Sequence, residues 1–566
     1  MTATSSHTPV TTEFEPPGPG YWERDISHTT AAPTRLYRRL TSTVMPDAYR
    51  EVFANFGGPI DTLDIRWVHG AMYHRIVPLV APDSERPPPP APVMRVLLRL
   101  HPAFRRREKA ARRMWAERPD QEEVAEWYRS ERQSWIDRNR ELQAVDLGGL
   151  DDPALADHLT TLEANLFAGW RRHHVLHGSD VGPIGDLLVH ARDWGLSTDE
   201  VLSMLHGASP ATTAAVTTGR RIADALLAAD VDPSTVSELE QLRRVPEAAA
   251  ELDAYLDHAG WHVATSYDIE AATIGELPSV VCALIRNQAR PAEGETADTD
   301  SGAAGTIEQL RVRVPAADRP LFDELVRRAR TAYGLRDDNG PLTAEWPMGL
   351  VRRAALEIGR RLHASGRLEI ERHVFELDLP EMAELLRGAT TPTTAEIVAR
   401  AAERRAEALL DPPATLGPAE PEPPLSVFPR GIRRTMDVVL TAMSLLEVDP
   451  AAGGGPLDGL GIGDRVHRGR ARIVADQDRI GEVFATMVPG DVLVAPWTAP
   501  TFNPLFSVAG AVVVREGGPL SHAAVMSREL GIPAVIGCRG AMDAIRDGDL
   551  VEVDPVAGRV NVLPSG

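Results

Sequence analysis

One histidine sits where the chain could carry a phosphoryl group. His522 follows Gly517-Gly518-Pro519-Leu520-Ser521 and leads into Ala523-Ala-Val-Met-Ser-Arg-Glu-Leu530, a run closed by Gly531 and Pro533. The run has a helical pattern, with Ser521 as its N-cap and Gly531 just past its end. An imidazole at the first turn of a helix, behind a diglycine, meets unsatisfied backbone N–H groups and the positive end of the helix dipole. A neutral imidazole nitrogen is a good nucleophile near pH 7, since its unperturbed pKa is ~6.5. A phosphoryl group on that nitrogen would find donors already in place. Such surroundings suit a phosphorylated imidazole at His522, with Gly517, Gly518 and Ser521 placed to steady its phosphate. For Ser-His alone, a histidine that merely caps the helix and bonds a carbonyl is the competing reading.

The flanks supply the elements that hold this histidine. Val508-Ala-Gly-Ala-Val-Val-Val514 is a short β-branched run that reads as a buried strand. Pro533 forbids further helix, so Ala534-Val-Ile536 reads as the next strand. Strand, diglycine loop, helix, strand is an α/β unit.

At this length the stretch resembles the swivelling phosphohistidine domain of enzymes that use phosphoenolpyruvate, among them pyruvate phosphate dikinase, phosphoenolpyruvate (PEP) synthase and rifampicin phosphotransferase. The likeness runs through Gly517-Gly518, Ser521-His522-Ala523-Ala524, Arg528-Glu-Leu-Gly-Ile-Pro-Ala-Val535 and Gly537. It continues through Asp547-Gly-Asp549 and Val551-Glu-Val-Asp554 with Gly558. Upstream, Asp491-Val-Leu-Val-Ala-Pro-Trp-Thr498 and Asn503-Pro-Leu-Phe506 look like the strand and loop entering the same domain. Ser527 departs from the alanine usual in the family. The resemblance implies that His522 carries the phosphoryl group.

Composition narrows the setting. The 566 residues exceed one domain, and the mix of 25% charged and 43% hydrophobic residues is globular. No apolar run nears the ~20 residues of a membrane span, and the N-terminus has no signal-like core. The two cysteines, Cys282 and Cys538, lie far apart in sequence, so a reduced cytoplasm is expected. A net charge of −21 argues against nucleic acid or an anionic membrane as partner. The basic run Arg105 to Arg113, which holds the chain's one lysine, Lys109, reads as a solvated helix face.

Along the chain, residues 1–20 read as a disordered tail. A mixed segment with a proline spacer occupies 21–92, and Asp64 to His74 has the alternation of a strand or hairpin. Residues 93–410 read as helices, interrupted by an acidic flexible insertion at 291–305. A proline-rich linker, one helix and a glycine-rich hinge cover 411–459, and short strands and turns fill 460–566. The expected fold is a mostly α-helical body, residues ~20–450, followed by a C-terminal α/β swivelling phosphohistidine domain.

The body resembles the substrate-binding domain of rifampicin phosphotransferase and its relatives. The residues that carry this are Tyr255-Leu-Asp-His-Ala-Gly-Trp-His262, Ser266-Tyr-Asp-Ile269, Glu276-Leu-Pro278, Arg352 to Leu362 and His373-Val-Phe-Glu-Leu377. A phosphohistidine must be loaded, and in the family an ATP-grasp domain or a (β/α)₈ barrel does so. Neither pattern appears, and Gly453-Gly-Gly455 precedes no helix. No cofactor is expected on the chain itself; ATP and Mg²⁺ are expected on a separate ATP-grasp subunit, with a small hydroxyl-bearing molecule as acceptor. His69, His74, His258 and His262 are acceptor-site candidates as bases, and Arg352 and Arg353 as phosphoryl clamps. No metal site is expected, since His258 and His262 have no third ligand nearby. A phosphohistidine carrier that docks a partner protein, and a non-catalytic regulatory His-domain protein, are the alternatives.

Overall fold

The computed structural model describes residues 13–25, 32–82, 89–264, 266–288, 299–419, 423–445, 455–475, 483, 486–498, 502–506 and 508–564. The N-terminal sheet is antiparallel, in the order β2-β3-β1-β4. Its strands are β1 (Trp22–Arg24), β2 (Ile60–Val68), β3 (Ala71–Pro78) and β4 (Thr415–Leu416). The hairpin expected over 64–74 is β2–β3; it turns through His69 (φ 45°) and Gly70 (φ 78°), as a two-residue loop requires. β4 lies within the stretch read as a linker, 411–424. Leu416 is buried with Trp22 and Tyr73, so the chain there is anchored to the sheet rather than a free spacer.

The body is built on a 42-residue helix, Asp152–Asp193. Leu155, Leu159, Leu162, Leu166 and Trp170 line its buried stripe, at the spacing of one helix face. Helices Arg319–Gly340 and Trp346–Ala364 run against it, joined by a π-helical turn, Pro341–Glu345. A Cβ on Gly169 would stand 2.1 Å from the Thr343 carbonyl oxygen, so only glycine lets the long helix approach this turn. The flexible insertion expected at 291–305 needs correction at its C-terminal part. Thr299–Arg311 is a helix, and its Ala303 and Leu310 are buried. Residues 291–298, 1–12 of the tail and 446–454 of the hinge lie outside the described residues. On helix Pro102–Glu117, Arg105, Arg106 and Lys109 are exposed, while Arg112 and Arg113 pair with Glu108 and Glu117. No helix among the described residues is long and apolar enough to cross a membrane.

The C-terminal sheet is mixed, in the order β11-β10-β6-β7-β8-β9-β5. Its strands are β5 (Leu460–Ile462), β6 (His467–Ile473), β7 (Val492–Ala495), β8 (Ala511–Val514), β9 (Ala534–Ile536), β10 (Leu550–Asp554) and β11 (Arg559–Val562). β6 through β9 are parallel. Every residue of β7, β8 and β9 is buried, as expected of parallel strands covered on both faces. Leu493, Val512 and Ile536 pack on one face, and Val492, Val513 and Val535 on the other.

This domain is seated on the body. Leu520 and Val525 join an apolar cluster with Ile184, Leu187, Leu310 and Tyr333 of the body. Val280 and Ala283 of the body pack into the cluster around Phe502, Leu505 and Phe506. The Gly207 N–H is 3.1 Å from both carboxylate oxygens of Glu529, and His206 Nε2 lies 3.5 Å from one of them. Burial raises the Glu529 carboxyl against the pull of His206.

Candidate active site

The loops after β7 and β8 leave the carboxyl ends of neighbouring parallel strands, where open α/β sheets bind their ligands. The first carries Thr498 and, at the start of the short helix Asn503–Phe506, Asn503; the second carries the diglycine and Ser521. Ser521 caps helix His522–Glu529: its Oγ accepts from the Ala524 N–H at 3.4 Å. Gly531 follows with φ 64°, as a helix end requires. Gly517 takes φ 121°, and a Cβ there would lie 2.8 Å from Ser521 Oγ, so the loop folds down onto the cap.

His522 is half-buried, with its ring edge-on to Phe506 at 5.5 Å. Nε2 lies 2.7 Å from Asn503 Oδ1, and Nδ1 lies 2.9 Å from Thr498 Oγ1. An amide oxygen only accepts, so Nε2 donates here and Nδ1 accepts from the threonine hydroxyl. Burial, and then Arg336 of the body, push the His522 pKa down to about 3. The imidazole is thus held neutral.

Arg336 lowers the His522 pKa only while the domain is docked, so the docked ring binds fewer protons than the free one. The docked state therefore loses stability as pH falls through the window from ~6.5 towards about 3. Histidine-selective NMR should show that His522 does not titrate around ~6.5. A resonance absent in His522→Ala that moves with a midpoint near ~6.5 would contradict this packing.

None of the six acceptor candidates hydrogen-bonds or stacks on His522. His69 sits at the β2–β3 turn against Phe14, and His74 faces Glu23 at 3.6 Å. His258 and His262 pack on Trp346 at 5.2 and 5.5 Å; burial first, then His258, lowers His262 to about 3. Arg352 is a strut: its guanidinium bonds Glu276 through Nε and Nη2 and the carbonyls of Ile269 and Glu270 through Nη1. Arg353 donates to the carbonyls of Gln143 and Val145 and walls an open hollow of about 440 Å³ with Trp261 and Asp257. Among the described residues, no cluster of three His, Cys, Asp or Glu side chains is arranged to hold a metal.

Thr498 and Asn503 lie within the quoted motif, but their contact with His522 needs the β7–β8 pairing to become visible. Arg336 had no sequence signal beyond its place on a long helix.

Residues 487–558 match the model of the PEP-utilising enzyme mobile domain. The C-terminal domain belongs to that family. The mobile domain rests on a part of the body that also has a match: residues 213–337 fit the rifampicin phosphotransferase fourth domain. A rifampicin phosphotransferase from Streptomyces sviceus is 27% identical over 346 residues, covering 57% of this chain and 36% of the relative. A phosphoenolpyruvate synthase from Neisseria meningitidis is 38% identical over 109 residues, 19% of this chain and 13% of the relative. A chondramide synthase from Chondromyces crocatus is 29% identical over 329 residues, 56% of this chain and 8% of the relative. The chain thus aligns to about a third or less of each of these relatives.

Proposed function

We propose that the chain is a phosphotransferase component in which His522 carries a phosphoryl group to a hydroxyl of a small organic molecule held by the helical body. The observation that carries this reading is the seating of the mobile domain: Leu520 and Val525, on either side of His522, pack on the body, and Arg336, within the segment that matches the rifampicin phosphotransferase fourth domain, acts electrostatically on His522. A carrier docked on its own body supports transfer within the chain. The relative named rifampicin phosphotransferase supports an organic molecule as the acceptor.

Loading takes place with the domain swung away from the body, on a separate ATP-grasp subunit that supplies a nucleotide-derived phosphoryl group and Mg²⁺. With its proton on Nδ1, the ring attacks through the Nε2 lone pair. The N–P bond forms as the donor's P–O bond breaks, and the leaving oxygen keeps the electron pair. After the return swing the acceptor oxygen attacks phosphorus in line, and the N–P pair goes back to Nε2. Gly517, Gly518 and Ser521 steady the phosphoryl oxygens at the helix start.

Labelled phosphoramidate, a small N-phosphoryl donor that needs no partner, tests the carrier step. The expected product is acid-labile, base-stable phosphate on the peptide containing His522, absent from His522→Ala. Label of ordinary acid stability, or label retained in His522→Ala, would overturn the reading.

A further inference from the structure

One face of helix Arg319–Gly340 leads away from the carrier. Tyr333, Arg336 and Gly340 follow at the three- and four-residue spacing of that face. Arg336 acts on His522 and also on the half-buried Tyr267. Gly340 stands one turn further on, ~6 Å along the axis. A Cβ at Gly340 would lie 3.6 Å from His173 Cε1 and 3.9 Å from Glu345 Oε1, so the bare glycine looks onto both side chains.

Around this point buried polar atoms collect without partners. Glu345, 5% exposed, has no partner for Oε1; Asp180, at 0%, has none for Oδ1; Trp170, at 3%, has none for Nε1. Buried polar atoms are nearly always satisfied, so three orphans around one group of rings mark a place meant for a ligand or water. The rings are close. His173 and His177 have centroids 4.6 Å apart, His173 and His174 5.1 Å, and Trp170 and Tyr267 5.8 Å. His173 Nδ1 is held by Asn339 Oδ1 at 2.5 Å and His177 Nδ1 by Asp180 Oδ2 at 2.9 Å. Both acceptor oxygens take a proton from Nδ1, which fixes the tautomer and orientation of the two rings. The backbone here departs from α-helix into the π-turn that ends at Glu345, a distortion frequent at functional sites.

We propose that Glu345, flanked by His173 and His177, is the general base of the acceptor site, and that the acceptor is a hydroxyl on an aromatic or apolar molecule lying between Gly340, Tyr267 and Trp170. This rests on the carrier reading given above. In the step, the acceptor O–H proton passes to the Glu345 carboxylate and the freed oxygen pair forms the O–P bond. The N–P bond breaks, and its pair returns to Nε2 of a ring that keeps its Nδ1 proton. A neutral imidazole, a phosphate monoester and a protonated Glu345 result.

Burial pushes the Glu345 carboxyl up to about 8, close to the pH at which a general base works best. The ionisable groups nearest it are His173, whose Cε1 meets Glu345 Oε1 over Gly340, and Tyr267, on which Glu345, Asp337 and Arg336 all act; His177 and Asp180 lie beyond His173. Transfer should therefore rise with pH until Glu345 is ionised and level off above about 8.

The test uses the full chain loaded on His522 with labelled phosphoramidate, freed of reagent, with water and glycerol as acceptors. Glu345→Gln should load as wild type does but release label ~10²-fold more slowly, without the wild-type rise with pH. His173→Gln, which keeps a hydrogen-bonding side chain, should slow release and keep the pH profile; it stands in if Glu345→Gln fails to fold. Wild-type release and pH profile in the variants would overturn the proposal. Absence of label on wild-type His522 would instead sink the carrier reading beneath it.

Discussion

Replacing Thr498 with valine should cut phosphoryl loading of His522 by ~10²–10³-fold, and Thr498→Ser should restore most of it. The resting ring has its proton on Nε2, facing Asn503 Oδ1, while Nδ1 accepts from the Thr498 hydroxyl. Attack through Nε2 needs the other tautomer, with the proton on Nδ1. A hydroxyl serves both, since it donates to Nδ1 in one state and accepts from Nδ1–H in the next. It matters most once phosphorylation makes the ring cationic, because the Nδ1–H then needs an acceptor in a site with little water. Valine has nearly the same shape and neither function. Quantifying acid-labile label after phosphoramidate treatment reads the effect directly. Equal loading in Thr498→Val would show that the hydroxyl only fills space.

The second large effect concerns the seam. Leu520→Asp or Val525→Asp would place a carboxylate in the cluster that holds the mobile domain to Ile184, Leu187 and Tyr333. Burying that charge unpaired costs about 3 kcal/mol or more, ~100-fold in the docking equilibrium. Small-angle scattering should show a more extended particle. The His522 pKa should rise, since the effect of Arg336 is lost while Thr498, Asn503 and Phe506 stay beside the ring. A scattering curve and a His522 titration identical to wild type would mean that these contacts do not hold the domain.

The loop and helix that hold His522 were legible in the sequence because their structure is local. A diglycine, a serine cap, a short helix and a proline-led strand fall within one stretch, and each residue type has a single strong backbone preference. The body was legible only as helices. Its apolar stripes, such as Leu155 to Trp170, announce which face is buried but not which helix covers it. Arg352 shows the limit. Its place on a helix suggested a clamp, yet its partners are a carboxylate and two carbonyls more than seventy residues away in sequence. Glu345 was invisible for a related reason: a glutamate in a helical pattern reads as surface. Only the packing of the long helix against the π-turn buries it, at 5% exposure. The helix Thr299–Arg311 was missed because its acidic, glycine-containing sequence resembles a tether, whereas Ala303 and Leu310 are anchored by tertiary contact.

The chain's basicity is almost wholly arginine, and this has a practical side. An amine-reactive dye has a single side chain to attack, the exposed Lys109, besides the terminal amine. Both native thiols are buried, so a cysteine introduced at Val556, 75% exposed on the mobile domain, could take a second dye selectively. Energy transfer between these two positions would turn the swing of the carrier into a distance followed in real time, as phosphate is added and withdrawn.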